Sequence, residues 1–262
     1  MVSSCLNLQY IVMKTIHLLS AFSLFALNIC AQQTIPVSEN LVTENIPALP
    51  STLVTELKNY TESKGASLVA WHPVKKEILI STRFGNSNQL HDVKTPGGEF
   101  KQITFFDEPI ATATFEPING AYFLFLKDSG GNEFSQINRF DLSTNKATLL
   151  TDGKRSQNGG IEWNTKGNKI AYNSTKRNGQ DRDIYVMDPL DPTSDKLLAE
   201  NKGGDWKVVD WSGDDSRLLI QEGISINETR LYTIDVATGT KTRLLPEKDE
   251  RSTYNGAAFK KD

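Results

Sequence analysis

A short multi-strand pattern recurs along this chain, and such a recurrence limits the possible folds more than any single motif does. Its clearest copy is Gly159 to Pro192, GGIEWNTKGNKIAYNSTKRNGQDRDIYVMDPLDP. Three runs in it, Gly160–Trp163, Lys169–Ser174 and Asp183–Met187, are rich in β-branched and aromatic residues. Thr165-Lys166-Gly167-Asn168 and Lys176-Arg177-Asn178-Gly179-Gln180 separate them. Runs of that composition bounded by Gly, Asn and charge predict antiparallel strands. In Asp183–Asp188 the apolar residues are nearly continuous, which predicts a strand covered on both faces.

An aromatic residue ends the first strand of each copy: Trp71, Phe115, Trp163, Trp211 and Phe259. These landmarks are spaced by about 44 and then about 48 residues, the range of propeller blades. Second strands align at Glu77–Arg83, Ala121–Lys127, Lys169–Ser174 and Arg217–Gly223. Third strands align at Asn88–Val93, Ser135–Asp141, Asp183–Asp188 and Arg230–Asp235. A weaker fourth set lies at Lys101–Phe105, Ala147–Thr151, Lys196–Ala199 and Thr240–Leu245. Four strands per repeat make a blade, and a blade with two partly apolar faces must stack on its neighbours. The expected fold is all-β: a β-propeller with blades at 66–109, 110–152, 153–204 and 205–251, and the first strand of a fifth in 252–262. A single β-sandwich would not require landmarks, turns and third strands to recur together.

The 262 residues carry a formal charge of −3, with no basic excess to suggest nucleic acid. The first 31 residues stand apart. Lys14 precedes an apolar core, Leu18–Leu27, and Ile29-Cys30-Ala31 offers a cleavage site, the pattern of a secretory signal peptide starting at Met13. The run is short for a membrane span and no stop-transfer cluster follows it. Ile29 fits poorly where lipidation of Cys30 wants a small residue, so the expectation is a periplasmic or secreted protein without a lipid anchor. Both cysteines, Cys5 and Cys30, fall in this leader. A processed chain would therefore have no disulfide, no cysteine nucleophile and no cysteine zinc site. Residues 32–64 read as a polar, proline-punctuated linker and one short helix, with Leu53, Val54, Leu57 and Tyr60 at helical spacing. Ser51 or Thr52 is placed to cap that helix, which is expected to pack on the first blade.

Few residues invite chemistry. Asp128-Ser129-Gly130-Gly131-Asn132-Glu133 offers oxygens to calcium but lacks the alternating carboxylates and distant bidentate Glu of an EF-hand loop. As a tight turn it needs no ion. Asp181, Asp183, Asp188, Asp191 and Asp195 sit mostly at strand ends and turns, where Asp serves the backbone. Gly223-Ile224-Ser225-Ile226-Asn227 resembles a nucleophile turn but lacks its final Gly. No histidine follows Ser225, and His17, His72 and His91 all precede it. No catalytic, cofactor-binding or metal-binding residue is expected.

One ordered set of segments carries a family resemblance. It comprises Asp128 to Gln136, Thr151-Asp152-Gly153-Lys154, Asn173 to Gly179, and Asp183-Ile184-Tyr185-Val186-Met187-Asp188-Pro189. Together they resemble the amino-terminal propeller of the prolyl oligopeptidase family, in its dipeptidyl-peptidase and acylaminoacyl-peptidase-like branch. The Ile-Tyr-Val-Met-Asp run also resembles TolB-like blades. The resemblance implies a propeller that filters peptide access to an α/β-hydrolase domain, which this chain does not contain. On that reading the chain is the non-catalytic front part of a longer peptidase. The alternative is a free-standing TolB-like propeller that binds a periplasmic protein.

Overall fold

The computed structural model describes residues 33–110, 112–248 and 250–260. The leader expected over residues 1–31, with Cys5, His17 and Cys30, lies outside the described residues. The chain divides into two units, Met1–Ser63 and Lys64–Asp262.

In the first unit, residues 33–50 fold back on themselves. Thr34 bridges Pro50, and the Ile35 N–H donates to the Leu49 carbonyl. Helix α1 follows, Thr52–Thr61. The sequence places a side-chain cap at its start, but Ser51 makes none and is itself helical, at φ −64° and ψ −23°. The Ser51 N–H instead donates to the Gln33 carbonyl, so the folded-back arm takes up one of the free donors at the helix start. No helix residue is buried, and Val54, Leu57 and Tyr60 are exposed. The helical spacing is therefore not the mark of a buried face.

The second unit is four four-stranded antiparallel sheets, each a simple meander. The first holds β1 (Ala66–Trp71), β2 (Ile78–Thr82), β3 (Gln89–Val93) and β4 (Lys101–Gln102). The second holds β5 (Ala113–Phe115), β6 (Tyr122–Lys127), β7 (Gln136–Asp141) and β8 (Lys146–Leu149). The third holds β9 (Asn158–Trp163), β10 (Ile170–Ser174), β11 (Asp183–Asp188) and β12 (Asp191–Ala199). The fourth holds β13 (Asp205–Trp211), β14 (Arg217–Ser225), β15 (Glu228–Asp235) and β16 (Lys241–Leu245). The outermost strand varies most, from two residues in β4 to nine in β12. An edge strand has one partner only, so its length is weakly dictated. In the first, third and fourth sheets the first strand slips register just before its landmark aromatic, between Leu68 and Ala70, Gly159 and Glu162, and Val208 and Asp210. Such bulges sharpen strand twist.

The cores lie between the sheets, which makes them blades. Leu79 and Leu90 of blade one pack with Phe115, Phe123, Phe125 and Phe140 of blade two. The opposite face of β6, Tyr122 and Leu124, packs with Ile170, Tyr172, Tyr185 and Met187 of blade three. The other faces of β10 and β11, Ala171 and Ile184, pack with Trp206, Trp211, Leu218 and Ile220 of blade four. The near-continuous apolar character of Asp183–Asp188 has this cause: Tyr185 and Met187 point one way, Ile184 the other. Burying side chains of this size contributes about 1.5–3 kcal/mol each.

Candidate functional site: the seams between blades

Each landmark aromatic after the first leans on the preceding blade. The Trp163 indole N–H donates to Thr114 Oγ1 at 3.2 Å, and the Trp211 indole to the Glu162 carbonyl at 3.0 Å. After β16 the chain repeats the move: the Phe259 N–H donates to Asp210 Oδ2 at 2.9 Å, and Arg217 lies over the Phe259 ring. Trp71, in the first blade, is 66% exposed, whereas Trp211 is 2% exposed.

The residue after each landmark organises the first turn of its blade. His72 Nδ1 accepts from the Val74 and Lys75 N–H groups. The Glu116 carboxylate accepts from Ile118, Asn119 and Gly120, and Asn164 Oδ1 from Asn168 and Lys169. Ser212 Oγ accepts from Arg217. Each turn also seats on the one before it. Gly120 and Gly167 adopt positive φ, and a Cβ on either would strike His72 or Ile118 of the preceding turn at 2.5 or 2.7 Å. In blade four the equivalent contact is polar, with Asp215 accepting from Asn164 Nδ2 and the Thr165 N–H.

A second set of latches crosses the seams from β2, β10 and β14. Ser81 Oγ donates to the Ile110 carbonyl, Asn173 Nδ2 to that of Trp206, and Gln221 Nε2 to that of Tyr254. In each case the acceptor opens the following segment. Register places Leu126 at this position in blade two, where no donor is available. Beside it a cavity of about 240 Å³ opens between Thr112–Thr114, Leu124–Leu126 and Gly160-Ile161.

In blades one to three the connector to the next segment is held by the residue that starts the third strand. Gln89 Nε2 donates to the Phe106 and Glu108 carbonyls, while Gln89 Oε1 accepts from the Phe106 N–H. Gln136 Nε2 donates to the Lys154 and Ser156 carbonyls, and its Oε1 accepts from Thr151 Oγ1 and the Gly153 N–H. In blade three the same place is taken by Asp183, fully buried, whose Oδ1 accepts from the Asn201 N–H at 2.8 Å. Arg177 brings the matching charge, Nε to Asp183 Oδ2 at 2.6 Å, and donates again to the Asn201 carbonyl. That hydrogen bond to Asp183 holds the Arg177 guanidinium charged, well above its ordinary value. In blade four the position is Arg230, beside Glu222 and Glu228. The connector there is held by Thr229, whose Oγ1 accepts from the Tyr254 N–H.

A cleft of about 520 Å³ adjoins the Asp183 clamp, lined by Arg177, Asp181, Glu200, Asn201, Lys202, Trp206, Tyr232 and Lys241. Lys241 Nζ sits 4.1 Å from the Trp206 ring centre and donates to Asn201 Oδ1 at 2.8 Å. Burial holds its ammonium below the ordinary lysine value.

The residues singled out by sequence are not brought together. Ser225 ends β14 in blade four, where its Oγ accepts from the Asn227 N–H. His72 caps a turn of blade one, and His91 lies fully buried in β3 against Phe84. The 128–133 turn spends its oxygens on backbone: Asp128 Oδ2 accepts from Glu133, and Asn132 Oδ1 from Phe134. Glu108 Oε1 accepts from the Gly130 N–H and Oε2 from Lys127, bonds that lower its carboxyl to about 2. Among the described residues no cluster of three metal-ligating side chains occurs. Of the acidic set, Asp188 and Asp191 accept from the backbone N–H groups of Leu190 and Thr193, and Asp195 accepts from Tyr172 and Lys176. Burial pushes the Tyr172 hydroxyl far above its usual range, the reverse of an activated phenol.

Comparison with known proteins follows this geometry. Residues 112–260 match the model of the prolyl oligopeptidase N-terminal β-propeller domain. A prolyl endopeptidase structure superposes with a TM-score of 0.58 at 12% identity, over 73% of this chain and 31% of that one. TolB from Acinetobacter baumannii superposes with a TM-score of 0.51 at 23% identity, over 70% of this chain and 44% of that one. An oligogalacturonate lyase in complex with manganese gives 0.54 at 15% identity, over 74% of this chain and 56% of that one. At these identities the superpositions establish the fold alone, and the chain spans less than two thirds of each of these proteins. No curated protein matches the chain. The match covers more than half of the sequence and takes in the seams of blades two to four, so the chain belongs to the prolyl oligopeptidase family through its N-terminal β-propeller domain.

Proposed function

We propose that this chain is the non-catalytic propeller of a secreted prolyl-oligopeptidase-family peptidase, and that it filters peptide access to an α/β-hydrolase domain. In this reading residues 1–31 direct export to the periplasm or beyond, residues 32–64 form an arm with its helix, and the blades follow from residue 65. The chain itself supplies no catalytic, cofactor-binding or metal-binding residue. The observation that carries the reading is the family match over 112–260 on a set of blades whose seams repeat one design. Filtering needs a rigid annulus rather than reactive groups, and the polar side chains at the seams serve backbone and neighbouring blades.

Two experiments test it. The DNA following the codon for Asp262 is expected to read, in frame or after a frameshift, into a segment encoding Gly-x-Ser-x-Gly with Asp and His beyond it. Unrelated sequence there would favour a TolB-like propeller that binds a periplasmic protein. The purified chain alone is expected to leave peptide substrates intact. Turnover abolished by replacing Ser225, His72 or His91 would overturn the assignment.

A further inference from the structure

Among the described seams, the one between blades two and three lacks its polar latch. Ser81, Asn173 and Gln221 each donate from a second strand to the segment that follows. Leu126 holds that place in blade two and has no donor to offer. The first strands also part here. Those of neighbouring blades approach one another, β1 with β5 and β9 with β13, which puts them on the inner side of the stack. β5 and β9 stand further apart. The hydrogen bond from the Trp163 indole to Thr114 pins them at the landmark end. Beyond it, toward Thr112 and Gly160, lies the cavity of about 240 Å³.

The walls choose the chemistry of an occupant. Leu124, Leu126 and Ile161 line the cavity beside Thr114, and no lining residue is charged. The cleft beside Asp183, by contrast, is lined largely by charged side chains. Volume sets the size of the occupant. The space exceeds the about 150 Å³ that takes benzene, and falls below the roughly 300–1,000 Å³ of sites that enclose a whole small ligand. One side chain therefore fits better than an entire drug-sized molecule. At the mouth, Thr112 and Gly160 are exposed, and Gly160 and Ile161 fall outside the register between β9 and β10. A hydroxyl and backbone polar groups are thus placed where a peptide main chain could bond to them.

We propose that this cavity is a subsite for one uncharged apolar side chain of a peptide, of leucine to phenylalanine size, entering from the inner side of the blades. An open apolar space leaves its lining without contact partners on one side, and a hydrocarbon group supplies them. The choice of a peptide as carrier rests on the filter reading above; the pocket itself does not.

NMR titration of the full nitrogen-15-labelled chain with N-acetylleucine amide, N-acetylglycine amide, N-acetyllysine amide and toluene tests this directly. The leucine derivative is expected to bind at least about tenfold more tightly than the glycine one, the scale of burying one aliphatic side chain. It should shift the indole N–H signal of Trp163, which bonds to Thr114 in the wall, and leave that of Trp71 unmoved. Leu126→Phe fills the space and should abolish the preference for leucine. Equal binding of the leucine and glycine derivatives, tighter binding of the lysine one, a shift at Trp71 in place of Trp163, or a leucine preference intact in Leu126→Phe would each overturn the proposal. Toluene binding while no amide binds would overturn the peptide as carrier. Binding of none of the four would overturn the pocket and leave the filter reading to its own tests of downstream DNA and turnover. The comparison of ligands on the unaltered chain decides the matter even if the variant fails to fold.

Discussion

Blades two and three hold their outgoing connectors at the same position with opposite chemistry. Gln136 does it with a neutral amide that both donates and accepts. Asp183 does it with a fully buried carboxylate, which can only accept, and Arg177 supplies the donors. The neutral clamp needs no partner from elsewhere. The charged clamp is stronger when complete and more fragile when broken, because removing Arg177 leaves Asp183 buried and uncompensated, and removing Asp183 leaves the Arg177 Nε and the buried Asn201 N–H without their acceptor. The repeat therefore conserves a geometric task, the satisfaction of connector backbone, rather than a residue type.

Breaking the charged clamp should cost most. Asp183→Ala is expected to destabilise the chain by about 3–5 kcal/mol in urea unfolding, with Asp183→Asn milder because an amide oxygen can still accept from Asn201. Gln136→Ala should cost about 1–3 kcal/mol, the penalty of leaving the Gly153 N–H and the Lys154 and Ser156 carbonyls without their partner. If the two variants cost the same, the contrast between neutral and charged clamps is not energetic. Leu126→Gln should give blade two the latch that Ser81, Asn173 and Gln221 provide elsewhere, raising stability by at most about 1 kcal/mol. An amide there that lowers stability would show that Leu126 contributes more through packing.

The smallest expected effect is a pH dependence. Glu108, at the connector from blade one to blade two, is lowered to about 2 by the Gly130 N–H and Lys127. A depressed carboxyl stabilises the fold above its unfolded value of about 4.3, and that contribution disappears as pH falls toward 2. Urea midpoints measured from pH 7 down to pH 3 should therefore decline less steeply in Glu108→Gln than in the unaltered chain. Parallel curves would remove Glu108 from the acid response.

Much of this architecture was legible in the sequence. The landmark aromatics, the second and third strands and the double-sided burial of Asp183–Asp188 all follow from periodicity that packing enforces. The outer strands were less legible, since an edge with one partner leaves little pattern. The seams were legible only in part. His72, Glu116, Asn164 and Ser212 differ in type yet do one job, so composition does not reveal them; their position after each landmark does. Gln89, Gln136 and Asp183 begin successive third strands, and Arg230 takes the equivalent register position in β15 at the same even spacing, a signal present in the chain but masked by the change from amide to charge. The Lys241 cleft joins residues from two blades, and only the fold brings them together.

The blades stack so that each landmark after the first is seated on the blade before it. Hydrogen exchange of the tryptophan indole N–H groups, resolved by nitrogen-15 NMR, reads that stacking residue by residue. The prediction is slow exchange for Trp163 and Trp211, which donate across seams, and fast exchange for Trp71, whose side is open. Fast exchange at Trp163 and Trp211, or protection of Trp71 equal to theirs, would contradict it.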